Sequence, residues 1–314
     1  MVDIVSIGEC MIELYMEPRF GENIYVRGFG GDTLNTIVAA ARLGSSVAYL
    51  TKIGYDPFSQ FLLASWKKEK IDVSQIKKVK GAFIGLYFIN LDENGERSFQ
   101  YYRKGSAAST LIPEDFDIAF IREALILYSS GITQALSETN QYTVKELFRN
   151  YKAKSSHTKL IAYDPNYREQ LWFDRKEKAI EAQEEVLPYI DLIFPSFPSD
   201  AKLSNSNTPE EMINFYTSKG INTVIVKLGA KGSIFTNDRG KTIQRVPAFN
   251  PSKIVDTTGA GDAFNGGVLR GFIKKFSVEK AVKFGTLISG LKIQGKGAIT
   301  SLPTLTEVNR HWKG

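Results

Sequence analysis

Short apolar runs recur along the chain, separated by longer stretches in which apolar residues return every three or four positions. The runs Asp3 to Ile7, Ser46 to Leu50, Leu125 to Tyr128, Leu160 to Tyr163, Leu192 to Phe194 and Thr223 to Lys227 each end in polar or glycine punctuation. This βαβ rhythm predicts a mostly parallel sheet covered by helices, an α/β fold. One helix is legible in detail. After the glycines at 30 and 31, Leu34, Ile37, Val38 and Ala41 fall at i, i+3, i+4 and i+7, and Gly44 suits its end.

Residues Phe83 to Arg103 break the rhythm. Two β-rich runs, Phe83 to Ile89 and Ser98 to Arg103, flank a turn containing Asn94 and Gly95, which predicts an antiparallel hairpin. Side chains alternate along a strand, so Phe99, Tyr101 and Arg103 share one face while Ser98, Gln100 and Tyr102 share the other. A second β-like piece lies between Met11 and Phe29. Together the two segments, about residues 10–30 and 80–105, are expected to form a small β lid over one α/β unit spanning residues 1–314.

Composition narrows the class. With 314 residues, 43% of them apolar and 24% charged, the chain can bury a sizeable core. No long Pro, Gly or Ser-rich linker and no internal repeat separates it into independent parts. The single cysteine, Cys10, excludes an intrachain disulfide and points to the cytoplasm. Neither a leader-like start nor a run of about 18 apolar residues occurs, so no membrane partner is expected. A net charge of +6 favours anionic small molecules, but the basic residues are dispersed and no nucleic-acid partner is expected. His157 and His311 lack a second ligand at metal spacing, so no metal site built from side chains is expected.

The candidate chemistry sits in two glycine strings. In Asp256-Thr257-Thr258-Gly259-Ala260-Gly261-Asp262, small residues between a strand and a helix let backbone amides converge at a helix N-terminus, where an anion is favoured. Asp262, at the start of that helix, suits a general base; the same string also suits a plain helix cap after a turn. Neither a P-loop nor a dinucleotide-binding glycine motif is present. In Gly30-Gly31-Asp32-Thr33-Leu34-Asn35, the glycines expose amides for polyol hydroxyls and Asn35 can donate and accept together; a capped surface helix is the simpler alternative.

These two strings resemble the signatures of the ribokinase-like, PfkB-type carbohydrate kinases, and the resemblance runs over nearly the whole chain. The opening Ile7 to Leu14, Gly85-Leu86-Tyr87, Tyr101 to Ala107, Ser130 to Thr133 and Asn166-Tyr167-Arg168 are similar to the members that act on 2-keto-3-deoxygluconate. The resemblance implies the ribokinase-like three-layer fold and transfer of a phosphoryl group from ATP, with Mg2+, to the 6-hydroxyl of that sugar acid. Asp262 would be the base and the amides of Gly259, Ala260 and Gly261 the anion hole. Gly30, Gly31 and Asn35 would hold hydroxyls, Tyr87 and Tyr101 would line the pocket, and Arg103 and Arg168 would meet the acid end. A substrate carboxylate needs such compensation, and a guanidinium supplies it with forked donors; Arg103 could instead be an ordinary exposed strand residue, and Arg168 a structural partner of Asp164.

On the nucleotide side the resemblance implicates Ser196, Lys227, Gly229, Gly232, Thr258, Gly259 and Gly261, with Gly295 to Ala298 nearby. One position departs from the pattern: Ser199 stands where the family commonly has a glutamate that organises Mg2+ through water; Asp200, one residue on, is a candidate replacement, and an ion held mainly by ATP and water is the alternative. A fructokinase or ribokinase of the same family, or a non-catalytic sugar-acid or nucleotide sensor, are the alternatives. An exposed lid face would also suit a homodimer or higher homo-oligomer.

Overall fold

The computed structural model describes residues 2–16, 24–91, 97–153, 159–173 and 175–313. The expected turn at Asn94 and Gly95, and His157, lie outside them. Among the described residues, a nine-stranded sheet runs in the order Gln244–Val246, Ser233–Thr236, Thr223–Lys227, Leu192–Ile193, Leu160–Asp164, Ile126–Ser130, Ile4–Ile7, Val47–Leu50 and Ile71–Asp72. The strands from Thr223–Lys227 to Ile71–Asp72 are all parallel, and the two strands at the other edge are antiparallel. All six strand runs read from the sequence are in this sheet.

Alternation along each strand builds two cores. Ile4, Ile126, Tyr128 and Ala162 face one side, where they meet helices Asp32–Arg42, Ala260–Ile273 and Val278–Lys292. Val5, Ile7, Leu127 and Ile161 face the other, where they meet helices Glu138–Lys152 and Pro209–Ser218. Each fully buried aliphatic side chain contributes about 1.5–3 kcal/mol of transfer free energy, so both faces must stay covered.

The Asp32–Arg42 helix departs from the amphipathic expectation. Leu34, Ile37 and Val38 are buried as expected, but so are Thr33, Asn35, Thr36, Ala39 and Ala40, while Ala41 is only half-buried. The helix is sandwiched between the sheet and the Ala260–Ile273 helix. That contact depends on Gly266, where a Cβ would lie 2.4 Å from the Thr36 carbonyl oxygen and 2.7 Å from the Ala39 Cβ. Gly44 follows the helix with φ +91°, a conformation that glycine adopts without strain.

A separate four-stranded sheet has the order Tyr25–Gly30, Met11–Met16, Leu86–Leu91 and Arg97–Tyr102. The hairpin is antiparallel with Tyr87 opposite Tyr101, and the two segments join through a parallel pairing that sets Glu13 beside Tyr87. The first strand of the hairpin starts at Leu86 rather than Phe83. Before it, the Phe83 carbonyl accepts from the Ala107 amide and the Gly85 carbonyl from the Ile12 amide, each at 2.9 Å, and a Cβ on Gly85 would lie 3.0 Å from Glu9 Oε1 and 3.1 Å from the Arg103 Cβ.

Candidate active site

The carboxyl ends of the parallel strands and the N-termini of two helices meet at one cleft, as open α/β sheets favour. At its centre the Ala260–Ile273 helix starts after Gly259, which is left-handed at φ +73°. That reversal turns the chain so that the amides of Gly259 and Gly261 have no partner among the described residues, whereas the Ala260 amide donates to the Thr257 carbonyl at 3.0 Å. Ala260 therefore closes the turn, and of the three amides expected to face an anion two are left without a partner among the described residues.

Asp262 lies in the first turn of this helix, half-buried, and its Oδ2 accepts a 2.8 Å hydrogen bond from Asn35 Nδ2. Burial, reinforced by the charge of Asp32, raises the Asp262 carboxyl to about 7 against the opposing pull of the Asn35 bond. A carboxylate poised near neutrality can take a proton from a hydroxyl and release it again.

Asn35 was expected to hold a hydroxyl. Its amide donates to Asp262, and its Oδ1 accepts from the Gly31 amide at 3.4 Å. Gly30 and Gly31 differ in what they permit. A Cβ on Gly30 would reach to 3.4 Å from the Tyr87 hydroxyl and 3.6 Å from Asn35 Oδ1, so glycine keeps that gap open. A Cβ on Gly31 would lie 2.1 Å from the Glu9 carbonyl oxygen, so glycine is required there by backbone packing.

The face of the four-stranded sheet that carries Glu13, Tyr87 and Tyr101 looks toward this centre. Tyr87 donates to Glu13 Oε2 at 2.6 Å, and its ring lies 5.6 Å from that of Tyr101. Arg103 follows the last strand on the same face, with its guanidinium 6.0 Å from the Tyr101 ring. Its Nη2 sits 2.5 Å from Glu9 Oε2, and Glu9 also accepts from the Ser106 hydroxyl at 2.6 Å. The sequence had left Arg103 without a partner. Beneath this sheet lies a cavity of about 370 Å³ lined by Glu13, Tyr15, Gly28, Phe29, Lys296 and Gly297, among others.

A second cavity of about 390 Å³ adjoins the first at Thr258 and holds the charged groups. Thr258, Gly259, Gly261, Asp262, Ser196, Lys227 and Arg168 all line it. Gly229 and Gly232 line neither cavity. Gly232 is glycine because its φ is +85° and a Cβ would lie 2.1 Å from the Val246 carbonyl oxygen. Arg168 is exposed and is not the partner of Asp164: that carboxylate accepts from Lys227 Nζ at 2.5 Å and Asn265 Nδ2 at 2.7 Å.

Four residues of this cavity or its walls, Asp32, Asp164, Asn166 and Asn265, had been given no role in the site by sequence reasoning. Asp164 ends a parallel strand, Asn265 holds it, and Asn166, at φ +39°, donates from Nδ2 to Asp32 Oδ2 at 3.0 Å. The available signal was positional, since Asp164 closes a strand at the sheet edge where ligands gather. Asp200, the candidate replacement for the missing glutamate, is 1% exposed and accepts from the amides of Ser196 at 2.6 Å and Tyr167 at 2.7 Å. It staples two loops together, and burial raises its carboxyl to about 6.

Comparison with known proteins decides the family. The model of the pfkB family of carbohydrate kinases matches residues 1–305. The chain belongs to that family. The 2-dehydro-3-deoxygluconokinase of Escherichia coli strain K12 is 36% identical over 306 residues, covering 94% of this chain and 96% of that protein. Fructokinase-1 of Oryza sativa subsp. japonica is 29% identical over 323 residues, covering 97% of this chain and 96% of that protein. Among solved structures, a fructokinase with bound ATP from Xylella fastidiosa superposes with a TM-score of 0.86 at 25% identity, covering 98% of this chain and 97% of that one. The family and fold class read from the two glycine strings are thereby borne out, and the chain is a carbohydrate kinase.

Proposed function

We propose that the chain phosphorylates 2-keto-3-deoxygluconate on its 6-hydroxyl with ATP. The observation that carries the catalytic part is Asp262 itself: a carboxyl raised to about 7, bonded to Asn35 and adjacent to two unpartnered amides. The acceptor hydroxyl lies beside Asp262, which takes its proton as the new O–P bond forms and the bond from the γ-phosphorus to the β–γ bridging oxygen of ATP breaks, releasing ADP. The amides of Gly259 and Gly261 face the transferring phosphoryl group, where charge develops. The nucleotide phosphates run toward Thr258, Ser196 and Lys227. Lys227 is held by Asp164, so it is positioned rather than free to swing.

The donor set suits Mg2+, since the charged cavity offers only oxygen ligands and Asp32, Asp164 and Asp200 line it. Asp164 and Asp200 are nearly saturated by their own donors. Asp32 and Asp164 would hold the waters of an ion carried on the phosphates, and such an ion would supply neutralisation of charge on the transferring group.

The four-stranded sheet serves as the lid, and the chain works as one kinase domain whose lid spans about residues 10–30 and 80–105. Closure excludes water and favours transfer over hydrolysis. Gly30 leaves room for the sugar between Tyr87 and Asn35, while Arg103 and Arg168 receive the carboxylate. The opposite face of the lid exposes Tyr25 and Tyr102, which pack edge-on against Phe88 and suit contact with a second copy of the chain. ATP supply and the lone cysteine support a cytoplasmic location.

A neutral sugar is the second reading, and one observation favours it: Glu9 already neutralises Arg103 at 2.5 Å. A coupled ADP-release assay with Mg-ATP and, in parallel, 2-keto-3-deoxygluconate, fructose and ribose separates the two. Activity confined to the keto acid is the expected result. Preference for fructose or ribose would replace the acceptor, and no ADP above background would favour a binding protein.

A further inference from the structure

Lys292 has no solvent exposure at all. An ammonium withdrawn from water is costly unless it is bonded, so its presence in a core needs a reason. It closes the Val278–Lys292 helix, whose carboxyl end favours a cation, and its Nζ donates to the carbonyl oxygen of Asp256 at 2.9 Å. Asp256 is the root of the turn that leads to Asp262. Its carboxylate accepts from the amide of Thr258 at 2.9 Å and from that of Gly297 at 2.8 Å, joining the turn to the 296–300 loop. The amides of Val255 and Asp256 donate to the Ile293 carbonyl at 2.8 and 3.2 Å, so the same helix end grips the chain just before the turn. On the far side, the position a Gly259 Cβ would take lies 3.1 Å from the Ala298 Cβ. The turn is thus fixed on both flanks, and Lys292 supplies the buried ionic fastening.

We propose that Lys292 is a positioning residue for phosphoryl transfer: its ammonium clamps the Asp256 carbonyl and so keeps the Gly259 and Gly261 amides directed at the transferring group. The negative charge of Asp256 offsets the positive charge of Lys292, so the effect on the reaction is geometric. This role belongs to the kinase reaction and is independent of which sugar accepts the phosphoryl group.

The test uses the full chain carrying Lys292→Met, which keeps the volume but not the charge, and Lys292→Ala, which leaves a gap beside Asp256. Each is assayed by ADP release with Mg-ATP and the sugar that the unaltered chain phosphorylates fastest. The expected result is a kcat lower by about 10-fold or more in both, with the acceptor KM changed by less than about 2-fold, as loss of a group that orients transition-state donors requires. Tens of millimolar methylammonium should restore turnover to the Ala variant and not to the Met variant. Tetramethylammonium at equal ionic strength, too large and without N–H donors, should restore neither. A Met variant as active as the unaltered chain, or an Ala variant indifferent to methylammonium, overturns the proposal. If neither variant folds unaided, folding and turnover of the Ala variant only with methylammonium support it. Failure to fold even then makes Lys292 a stability residue and overturns it.

Discussion

Replacing Asn35 by alanine isolates the bond that holds Asp262 ready. The Asn35 amide donates to Asp262 Oδ2 at 2.8 Å and favours the ionised carboxyl, opposing burial and the Asp32 charge, which push the other way. A hydrogen bond to a charged group contributes about 1.5–3 kcal/mol. At 1.36 kcal/mol per pKa step, its loss moves the Asp262 carboxyl upward from about 7 by about one to two pH units. Asp262 is only half-buried and water can replace part of the bond, so the lower end of that range is expected. The base works deprotonated, so the rate rises with pH through this value and falls as acid protonates it. At pH 7 the ionised fraction drops from about one half to about a tenth or less, a loss of about 5-fold or more, while at pH above about 9 most of the rate returns. The assay is kcat/KM for the acceptor as a function of pH, which reports the free enzyme. If the ascending limb stays in place and activity is lost equally at every pH, Asn35 acts on the acceptor and not on Asp262.

Other outcomes follow from the same geometry. Asp262→Asn should lower turnover by at least about 10²-fold while ATP affinity, measured by calorimetry, stays nearly intact; unchanged turnover would remove it as the base. Arg103→Ala, combined with Glu9→Gln so that no buried carboxylate is stranded, should raise the KM for 2-keto-3-deoxygluconate by about 10-fold or more, as loss of a charge-assisted bond implies. The same pair of changes should leave the fructose KM nearly unaltered, and equal losses for both sugars would discard the carboxylate contact. Gly31→Ala forces a Cβ to 2.1 Å from a backbone oxygen, so the melting temperature should fall by several degrees by calorimetry. A melting curve that does not move would show that the Glu9 segment yields.

What the sequence determined by itself was everything carried by short-range pattern. The six strand runs, the helix after Gly31, the hairpin alternation that sets Tyr101 and Arg103 on one face, and the glycine turn leading to Asp262 rest on periods of two and 3.6 residues and on turn chemistry. Each involves neighbours within a few positions, so no knowledge of the fold was needed. What only the tertiary structure decided was the choice of partner for each polar group once water is excluded. Asn35 and Asp262 are 227 residues apart, yet they bond directly because two helix N-termini converge over adjacent strand ends. Arg103 was read as free for a ligand and is held by Glu9; Arg168 was a candidate partner for Asp164, whose carboxylate goes instead to Lys227 and Asn265. Lys292 carried no signal in the sequence, since a lysine ending a helix is ordinarily solvated. A buried charge must find its counterpart in whatever the packing brings near, and that neighbourhood is set by the order of strands in the sheet, not by the residues on either side in the chain.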